Sequence, residues 1–158
     1  VMNCLAVADQ LRQLGVPAQV QTSIVMPQVA SVFTRYSAVE SMEGGNVVLF
    51  GGGTGNPLFS TDTASALRAI ETGCDVMFKA TMVDGVYNKD PKKYMDAVKY
   101  DRLTFTEVLG KNLAVMDGTA ATLCRENKLP ILVFDLKDPD NIARAVCGEA
   151  IGTLVVEE

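Results

Sequence analysis

A glycine-rich segment is the part of this sequence best suited to hold an anion. Four glycines lie within residues 51–55, after an apolar run at 47–50 and before a helix predicted over 62–71. Ser60 or Thr61 is suited to cap that helix, and Gly73 to end it. Glycines let backbone amides approach phosphate oxygens, and a helix N-terminus favours negative charge. The pattern predicts a phosphate-binding loop, with a tight structural turn as the alternative.

The two general nucleotide-binding motifs are both incomplete here. In the dinucleotide fingerprint G-x-G-x-x-G, the last glycine is replaced by Asn56 or by Leu58, depending on the glycine from which the motif is counted. The P-loop pattern lacks its Lys-Ser/Thr end. A dehydrogenase-type dinucleotide domain is therefore disfavoured and stays only as an alternative.

A second segment of interest is Lys79-Ala80-Thr81-Met82-Val83-Asp84-Gly85-Val86-Tyr87-Asn88-Lys89-Asp90-Pro91. It follows a strand predicted as buried over residues 75–80, so in a parallel sheet it leaves the same edge as the first loop. Two such loops predict opposite walls of one ligand pocket. The alternative is a surface hairpin, because Asp84-Gly85 and residues 88–91 are turn-forming.

Composition limits the class of protein. The chain of 158 residues fits one domain, and its net charge of −5 and pI near 4.7 argue against non-specific binding to nucleic acid or to an anionic membrane. The sequence shows no signal peptide and no apolar run of ~18 residues, so nothing in it suggests export or a membrane span. Histidine is absent and the four cysteines are scattered, which argues against a zinc site and for reduced thiols in a cytosol-like compartment.

Helical and strand patterns alternate along the chain. This order predicts an α/β fold with a mostly parallel sheet and helices on both faces. The sequence begins at Val1 inside a helical pattern that Gly15 and Pro17 end, so we expect a fragment. The predicted strands are 18–22, 47–50, 75–80, 98–100, 130–134 and 152–156, and the predicted helices after the first are 28–42, 62–71, 104–109 with a capping box, 118–127 and 138–147.

The two segments together resemble the bacterial-type uridylate (UMP) kinases of the amino acid kinase superfamily. The resemblance covers essentially the whole chain. It is carried by Gly53-Thr54-Gly55-Asn56-Pro57-Leu58-Phe59-Ser60-Thr61-Asp62, by Lys79-Ala80-Thr81, by Val83-Asp84-Gly85-Val86-Tyr87 and by Asp90-Pro91. The Gly-Thr-Gly-Asn-Pro block is specific to these enzymes within the superfamily.

The resemblance implies a three-layer amino acid kinase-like fold and transfer of the ATP γ-phosphoryl group to UMP with Mg²⁺. It implies a single domain over 1–158 that lacks the N-terminal strand and the glycine loops that hold the donor phosphates, so we expect this chain alone to be nearly inactive. The implied UMP-binding residues are Thr54, Gly55, Asn56, Pro57, Leu58, Phe59, Ser60 and Thr61, and the implied ATP-binding residues are Thr81, Tyr87 and Asp90.

Several single residues have two interpretations. Asp62 is either a supporting catalytic group or a favourable first-turn carboxylate, and Asp117 either a supporting catalytic group or a helix N-cap. At Tyr87 the aromatic ring rather than the hydroxyl is expected to be required for the ATP site, because some relatives carry Phe at the corresponding position. Arg68 is interpreted as a solvated surface residue, and no side-chain metal site is expected.

The resemblance also implies partners and a location. It implies a homohexamer regulated by UTP and often by GTP, in the cytoplasm or in a plastid stroma. A non-catalytic nucleotide-sensing module of the same fold stays as an alternative. Carbamate, acetylglutamate or aspartate kinase are further alternatives within the superfamily.

Overall fold

The computed structural model describes residues 1–113 and 115–157. Its backbone divides into two compact units, Val1–Gly73 and Cys74–Glu158. Each unit has its own sheet and its own flanking helices. That the chain forms one domain stays a prediction.

The first unit is built around three parallel strands in the order β2-β1-β3. Ala18 pairs with Val47 and Thr22 with Gly51, so β1 and β3 end side by side and the residue after β1, Ser23, lies next to the glycine-rich loop. The described elements are α1 (Met2–Gln13), β1 (Ala18–Thr22), β2 (Ser31–Val32), α2 (Arg35–Glu43), β3 (Val47–Gly51) and α3 (Thr61–Thr72).

The core of the first unit consists of small side chains. Helix α1 packs against β1 and β3 through Cys4, Leu5, Ala8 and Leu11, around a buried cluster that includes Val20. The helix ends where Gly15 takes a left-handed φ of +81°, as its position before Pro17 predicts. A helix that buries mainly alanine can approach the sheet closely, but it removes little apolar surface from water.

Two sequence predictions are only partly correct in this unit. The helix predicted over 28–42 begins only at Arg35, because Ser31–Val32 pairs with β1 and Thr34 caps the helix by accepting a hydrogen bond from the Ser37 amide. Strand β3 is present, but it is only half-buried, with Val47 exposed. Among the described residues β3 is an edge strand, which leaves one side of it less covered.

The second unit contains a four-stranded sheet in the order β4-β8-β9-β7. The pairs β4–β8 and β7–β9 are parallel and β8–β9 is antiparallel, while β5 and β6 form a separate antiparallel ribbon. The described elements are β4 (Met77–Thr81), β5 (Val86–Tyr87), β6 (Lys99–Tyr100), β7 (Arg102–Thr104), α4 (Phe105–Gly110), α5 (Gly118–Glu126), β8 (Ile131–Asp135), α6 (Asp140–Val146) and β9 (Thr153–Val156).

The core of the second unit uses large side chains. Leu103, Phe105, Ile131, Phe134 and Val155 are at most 2% exposed. Phe134 also contacts Phe78 edge to face, with the ring centroids 5.9 Å apart. Fully burying each such side chain is worth about 1.5–3 kcal/mol. Most of the apolar stabilisation among the described residues therefore lies in this unit.

The second unit matches most predicted elements, and the differences outside the β5–β6 hairpin concern β4, β7 and α6. The strand predicted over 75–80 begins at Met77, which is buried, while Lys79 and Thr81 are half-buried and Phe78 and Ala80 are exposed, so it is not buried on both faces. Strand β7 was not predicted, because three residues carry too little pattern. Asp138 accepts a hydrogen bond from the Asp140 amide as an N-terminal cap should, although helix α6 is bounded at Asp140.

Every helix formed by residues 1–113 and 115–157 is too short or too polar to cross a membrane.

Candidate functional site

The glycine-rich loop between β3 and α3 depends on left-handed backbone conformations. Gly52, Gly53 and Gly55 have φ values of +81°, +64° and +78°, which other residues rarely adopt. Gly55 also approaches Ser23 closely, since a Cβ at Gly55 would lie 3.1 Å from the Ser23 Cβ. The glycines are therefore needed for the loop conformation itself, as well as for any approach by a ligand.

Polar groups at the start of the loop bond to one another. The Thr54 hydroxyl accepts a hydrogen bond from the Asn56 amide at 3.1 Å, and the Asn56 side chain donates to the Thr54 carbonyl. Leu58 has a φ of +71° and is fully exposed, and Phe59 beside it is also exposed. A leucine in this conformation is strained by about 1–3 kcal/mol, which is typical of functional loops.

The loop leads directly into the N-terminus of helix α3. Ser60 is the N-cap and accepts a hydrogen bond from the Thr63 amide at 3.1 Å, and Gly73 ends the helix with a φ of +72°. Both features confirm the prediction from the sequence. Asp62 lies in the first turn of α3, where a carboxylate is favourable, as its structural interpretation predicts. The positive end of the helix dipole faces the loop.

Arg68 contradicts its interpretation as a solvated surface residue. It is only 8% exposed, and its guanidinium lies 3.8 Å from the centre of the Phe33 ring. One terminal nitrogen forms an ion pair with Glu71, and the other donates to the Ser23 hydroxyl at 2.9 Å. The sequence holds one clue, since Arg68 follows Ala64 by four residues on the alanine-lined face of α3.

The second segment forms the predicted turn and hairpin. Thr81 ends β4, and its hydroxyl bonds to both the amide and the carbonyl of Val83, which turns the chain out of the sheet. Strand β5 then pairs with β6, so the alternative of a surface hairpin is correct for the backbone. The ribbon is attached to β9, because the buried Thr153 hydroxyl accepts from the Val86 amide and donates to the Tyr100 carbonyl.

Tyr87 takes part in a small charged group on the hairpin. Its hydroxyl donates to Asp84 at 2.7 Å, and Lys99 lies 3.5 Å from the same carboxylate. This hydrogen bond lowers the pKa of Asp84, with a smaller contribution from Lys99, and it raises the pKa of Tyr87. The hydroxyl of Tyr87 is therefore used within the chain, and that its ring contacts ATP stays a prediction.

Asp90 closes the turn at the far end of β5. Its carboxylate accepts from the Lys92 amide at 2.9 Å and lies 3.7 Å from the Lys93 ammonium. The side chain is exposed, so it is accessible while it also stabilises the turn.

A polar cavity of about 290 Å³ lies beside this hairpin within the second unit. Its walls include Asp84, Lys99, Asp135 and Arg144. Thr81 pairs with Asp135 in the sheet, so the cavity opens at the carboxyl ends of β4 and β8. Ligands of open α/β sheets bind at this edge.

Asp117 is the N-cap of helix α5. Its carboxylate accepts from the Ala120 amide at 3.0 Å, as the structural interpretation predicts. This contact is compatible with a further role in catalysis, which stays a prediction.

The first loop belongs to the first unit and the second loop to the second unit. That the two loops form opposite walls of one pocket also stays a prediction.

Metal ligation by side chains finds no support in residues 1–113 and 115–157. These residues contain no group of three or more Cys, Asp or Glu side chains that could hold a metal ion. An ion brought by a phosphate ligand needs fewer protein contacts, since Mg²⁺ is often held by one or two carboxylates together with phosphates and water.

Known proteins resemble this chain over nearly all of its length. The profile of the Amino acid kinase family matches residues 1–135. A uridylate kinase of Paramagnetospirillum magneticum is 55% identical over all 158 residues, which span 66% of that relative, slightly less than two thirds of its length. A crystal structure of UMP kinase from Bacillus anthracis superposes with a TM-score of 0.96 at 36% identity, covering 99% of this chain and 65% of that one.

A second solved structure agrees. The UMP kinase of Ureaplasma parvum superposes with a TM-score of 0.94 at 34% identity, over 99% of this chain and 67% of that one. These likenesses confirm the predicted amino acid kinase-like fold, with parallel-rich sheets flanked by helices.

Proposed function

The chain belongs to the amino acid kinase family, and from this premise we propose that the complete protein transfers the γ-phosphoryl group of ATP to UMP, giving UDP. The observation that carries the proposal is the exposed loop of left-handed glycines that leads into the capped N-terminus of α3. Two kinds of likeness support it, the 55% identity to a uridylate kinase and the superposition on two UMP kinases.

We assign the acceptor UMP to this loop. A phosphate can be bound without a cationic side chain by the backbone amides of glycines together with neutral hydroxyls and a helix N-terminus. Such a site suits an acidic protein of net charge −5. The assigned residues are Thr54, Gly55, Asn56, Pro57, Leu58, Phe59, Ser60 and Thr61.

We assign the donor ATP to the hairpin segment. The Tyr87 ring offers a flat apolar surface for the adenine, while its hydroxyl is held by Asp84. Thr81 and the exposed Asp90 lie on the same segment, and the polar cavity next to β4 and β8 supports a ligand at this edge.

The chemistry requires alignment and charge neutralisation more than proton transfer. Phosphoryl transfer leaves little covalent work to the protein, and the attacking UMP phosphate is already anionic, so a general base is unnecessary. In this proposal Asp62 and Asp117 orient the groups around the transferred phosphate. Mg²⁺ is proposed to arrive with the ATP phosphates and to neutralise their charge.

The proposal extends to assembly and regulation. We propose a homohexamer that responds to UTP and to GTP and acts in the cytoplasm or in a plastid stroma. Size-exclusion chromatography with light scattering, with and without each nucleotide, measures the assembly. A monomer under all conditions would exclude the hexamer.

The activity is tested with the complete protein encoded by the gene that carries this sequence. The protein is incubated with MgATP and, separately, UMP, CMP, carbamate, acetylglutamate or aspartate, and ADP formation is measured together with the phosphorylated product. We expect UDP with UMP and little product with the other acceptors. Product from another acceptor would replace UMP kinase by that other family activity.

Direct binding separates catalysis from sensing. Calorimetric titration of the same preparation with UMP, with ATP and with NAD is expected to show that UMP and ATP bind and that NAD does not. Binding of both without UDP formation would favour a nucleotide-sensing module, and binding of NAD alone would favour a dinucleotide domain.

A further inference from the structure

Arg68 lies inside the first unit and bonds to the end of strand β1 as well as to its own helix. Most buried arginines neutralise a neighbouring acid, and Arg68 does so with Glu71 one turn further along α3. It also donates from its second terminal nitrogen to the Ser23 hydroxyl at 2.9 Å. A guanidinium can make both contacts at once because its donors form a rigid planar fork.

Ser23 continues this contact to the glycine-rich loop. Its hydroxyl donates to the Gly53 carbonyl at 2.6 Å, and its amide donates to the Gly51 carbonyl at 3.1 Å. A hydroxyl that accepts from a cation becomes a better donor, so the two bonds strengthen each other. The close approach of Gly55 to Ser23 places a second part of the loop against the same residue.

Phe33 fixes the guanidinium from a third direction. The cation lies 3.8 Å above the Phe33 ring, and that ring packs edge to face on Phe50 of β3, with centroids 5.5 Å apart. Desolvated contacts between a guanidinium and an aromatic face are among the stronger ones of this type. The position of Arg68 is therefore determined by three contacts within the first unit, with Ser23 after β1, with Phe33 after β2 and with Glu71 of α3.

We propose that Arg68, acting through Ser23, is a positioning residue that holds the Gly53 carbonyl and so sets the conformation in which the loop binds the acceptor phosphate. The inference rests on the proposed function for the identity of that acceptor. It does not make Arg68 a ligand of the substrate.

The test uses the complete protein with the single variants Arg68→Lys and Ser23→Ala. Lysine keeps the charge but cannot contact Glu71, Ser23 and the Phe33 ring in one geometry, and alanine removes only the bridging hydroxyl. We expect each variant to raise KM for UMP by about tenfold, the effect of one lost hydrogen bond to a charged group, with KM for ATP changed less than about twofold. The double variant should equal the single ones, since both break one chain of bonds.

The matched control is Arg12→Lys. Arg12 donates from two nitrogens to the Ala18 carbonyl, at 3.0 and 2.7 Å, at the opposite end of the same strand. It should leave the ratio of the two KM values unchanged. If Arg68→Lys or Ser23→Ala lowers stability but leaves that ratio as in Arg12→Lys, Arg68 is only structural and the proposal is wrong.

A second measurement is independent of the substrate. Amide hydrogen exchange over residues 52–59 should be faster in Arg68→Lys and in Ser23→Ala than in the unaltered protein and in Arg12→Lys. Unchanged exchange there overturns the positioning role even in a protein that phosphorylates UMP. Faster exchange in a protein that does not accept UMP keeps the positioning role and overturns only the proposed function.

Discussion

At the scale of single residues, the hydrogen bond between Tyr87 and Asp84 couples the hairpin to pH. It lowers the pKa of Asp84 in the folded chain, so Asp84 contributes stability above its unfolded pKa that is lost as the pH falls through its folded pKa. It raises the pKa of Tyr87, so this contribution is present below the unfolded pKa of the phenol and is lost as the pH rises through the folded value.

Tyr87→Phe should remove this coupling and keep the ring. We expect the pKa of Asp84 to rise, which carbon-detected NMR titration of its carboxyl group measures. If the ring is what ATP contacts, KM for ATP should stay within about twofold, because the aromatic surface is unchanged. A large rise in KM for ATP would show that the hydroxyl itself binds the nucleotide.

Two glycines of the second unit allow the stability cost of backbone strain to be distinguished from that of steric overlap. Gly152 and Gly148 have similar φ values, +68° and +79°, but a Cβ at Gly152 would lie 2.0 Å from the Val133 carbonyl oxygen, whereas a Cβ at Gly148 would have nothing within 4 Å. Gly148→Ala should cost about 1 kcal/mol from strain alone. Gly152→Ala should cost more than about 4 kcal/mol, since strand β9 must move.

Urea unfolding followed by circular dichroism measures both variants. A similar loss of stability in the two would contradict the overlap and leave φ as the sole cause.

At the scale of elements, helix α4 begins with a complete capping box. The Thr104 hydroxyl accepts from the Glu107 amide at 3.1 Å, and the Glu107 carboxylate accepts from the Thr104 amide at 3.0 Å. The bond from the Thr104 amide, followed by that from Lys111, lowers the pKa of Glu107. The spacing Thr-x-x-Glu was sufficient to predict this start from the sequence.

Thr104→Ala should destabilise the chain by about 1 kcal/mol, because one amide of the first turn loses its acceptor. Thr106→Ala is the control, since Thr106 is exposed within the same helix and alanine favours helices. Thermal unfolding of the two variants side by side gives the difference. Equal stability of both would mean that the cap contributes nothing.

Elements that depend on local chemistry were predictable, and those that depend on distant partners were not. Ser60 and Gly73 bound α3 by their own backbone preferences, so its limits could be read from residue types. Strand β2 forms because Ser31 pairs with Gln21, which is ten residues away along the chain, and nothing in the local pattern shows that pairing. The start of the helix predicted over 28–42 was wrong for this reason, although its end was close to the observed one at Glu43.

The candidate site shows the same division. The glycine-rich loop and its helix were predicted because glycine spacing and capping residues are local signals. The burial of Arg68 was missed because it needs Phe33 and Ser23, which are 35 and 45 residues away along the chain. An arginine on an alanine-lined helix face would have been the only local sign of it.

At the scale of the whole molecule, apolar burial is unevenly distributed. The buried apolar residues of the first unit are alanines apart from Val20, while those of the second include the large side chains of β7, α4, β8 and β9. Burial of alanine contributes far less than burial of Phe, Leu or Ile. The first unit should therefore open more readily than the second.

Native-state hydrogen exchange on the 158-residue chain tests this expectation. Amides of β8 and β9 should exchange slowest, and those of β1 and β3 at least about tenfold faster, as a difference of 1.4 kcal/mol in opening free energy would give. Greater protection in β1 than in β8 would show that small side chains are not the weak point.

The attachment of the β5–β6 ribbon to Thr153 has a practical consequence. The buried Thr153 hydroxyl holds the base of the ribbon, and Met95 in the loop at its other end is fully exposed. A fluorescent dye on Met95→Cys would therefore sit clear of the sheet, provided that the native thiols Cys74 and Cys147 are first replaced by serine. If the hairpin binds ATP as proposed, such a reporter would follow nucleotide binding in real time.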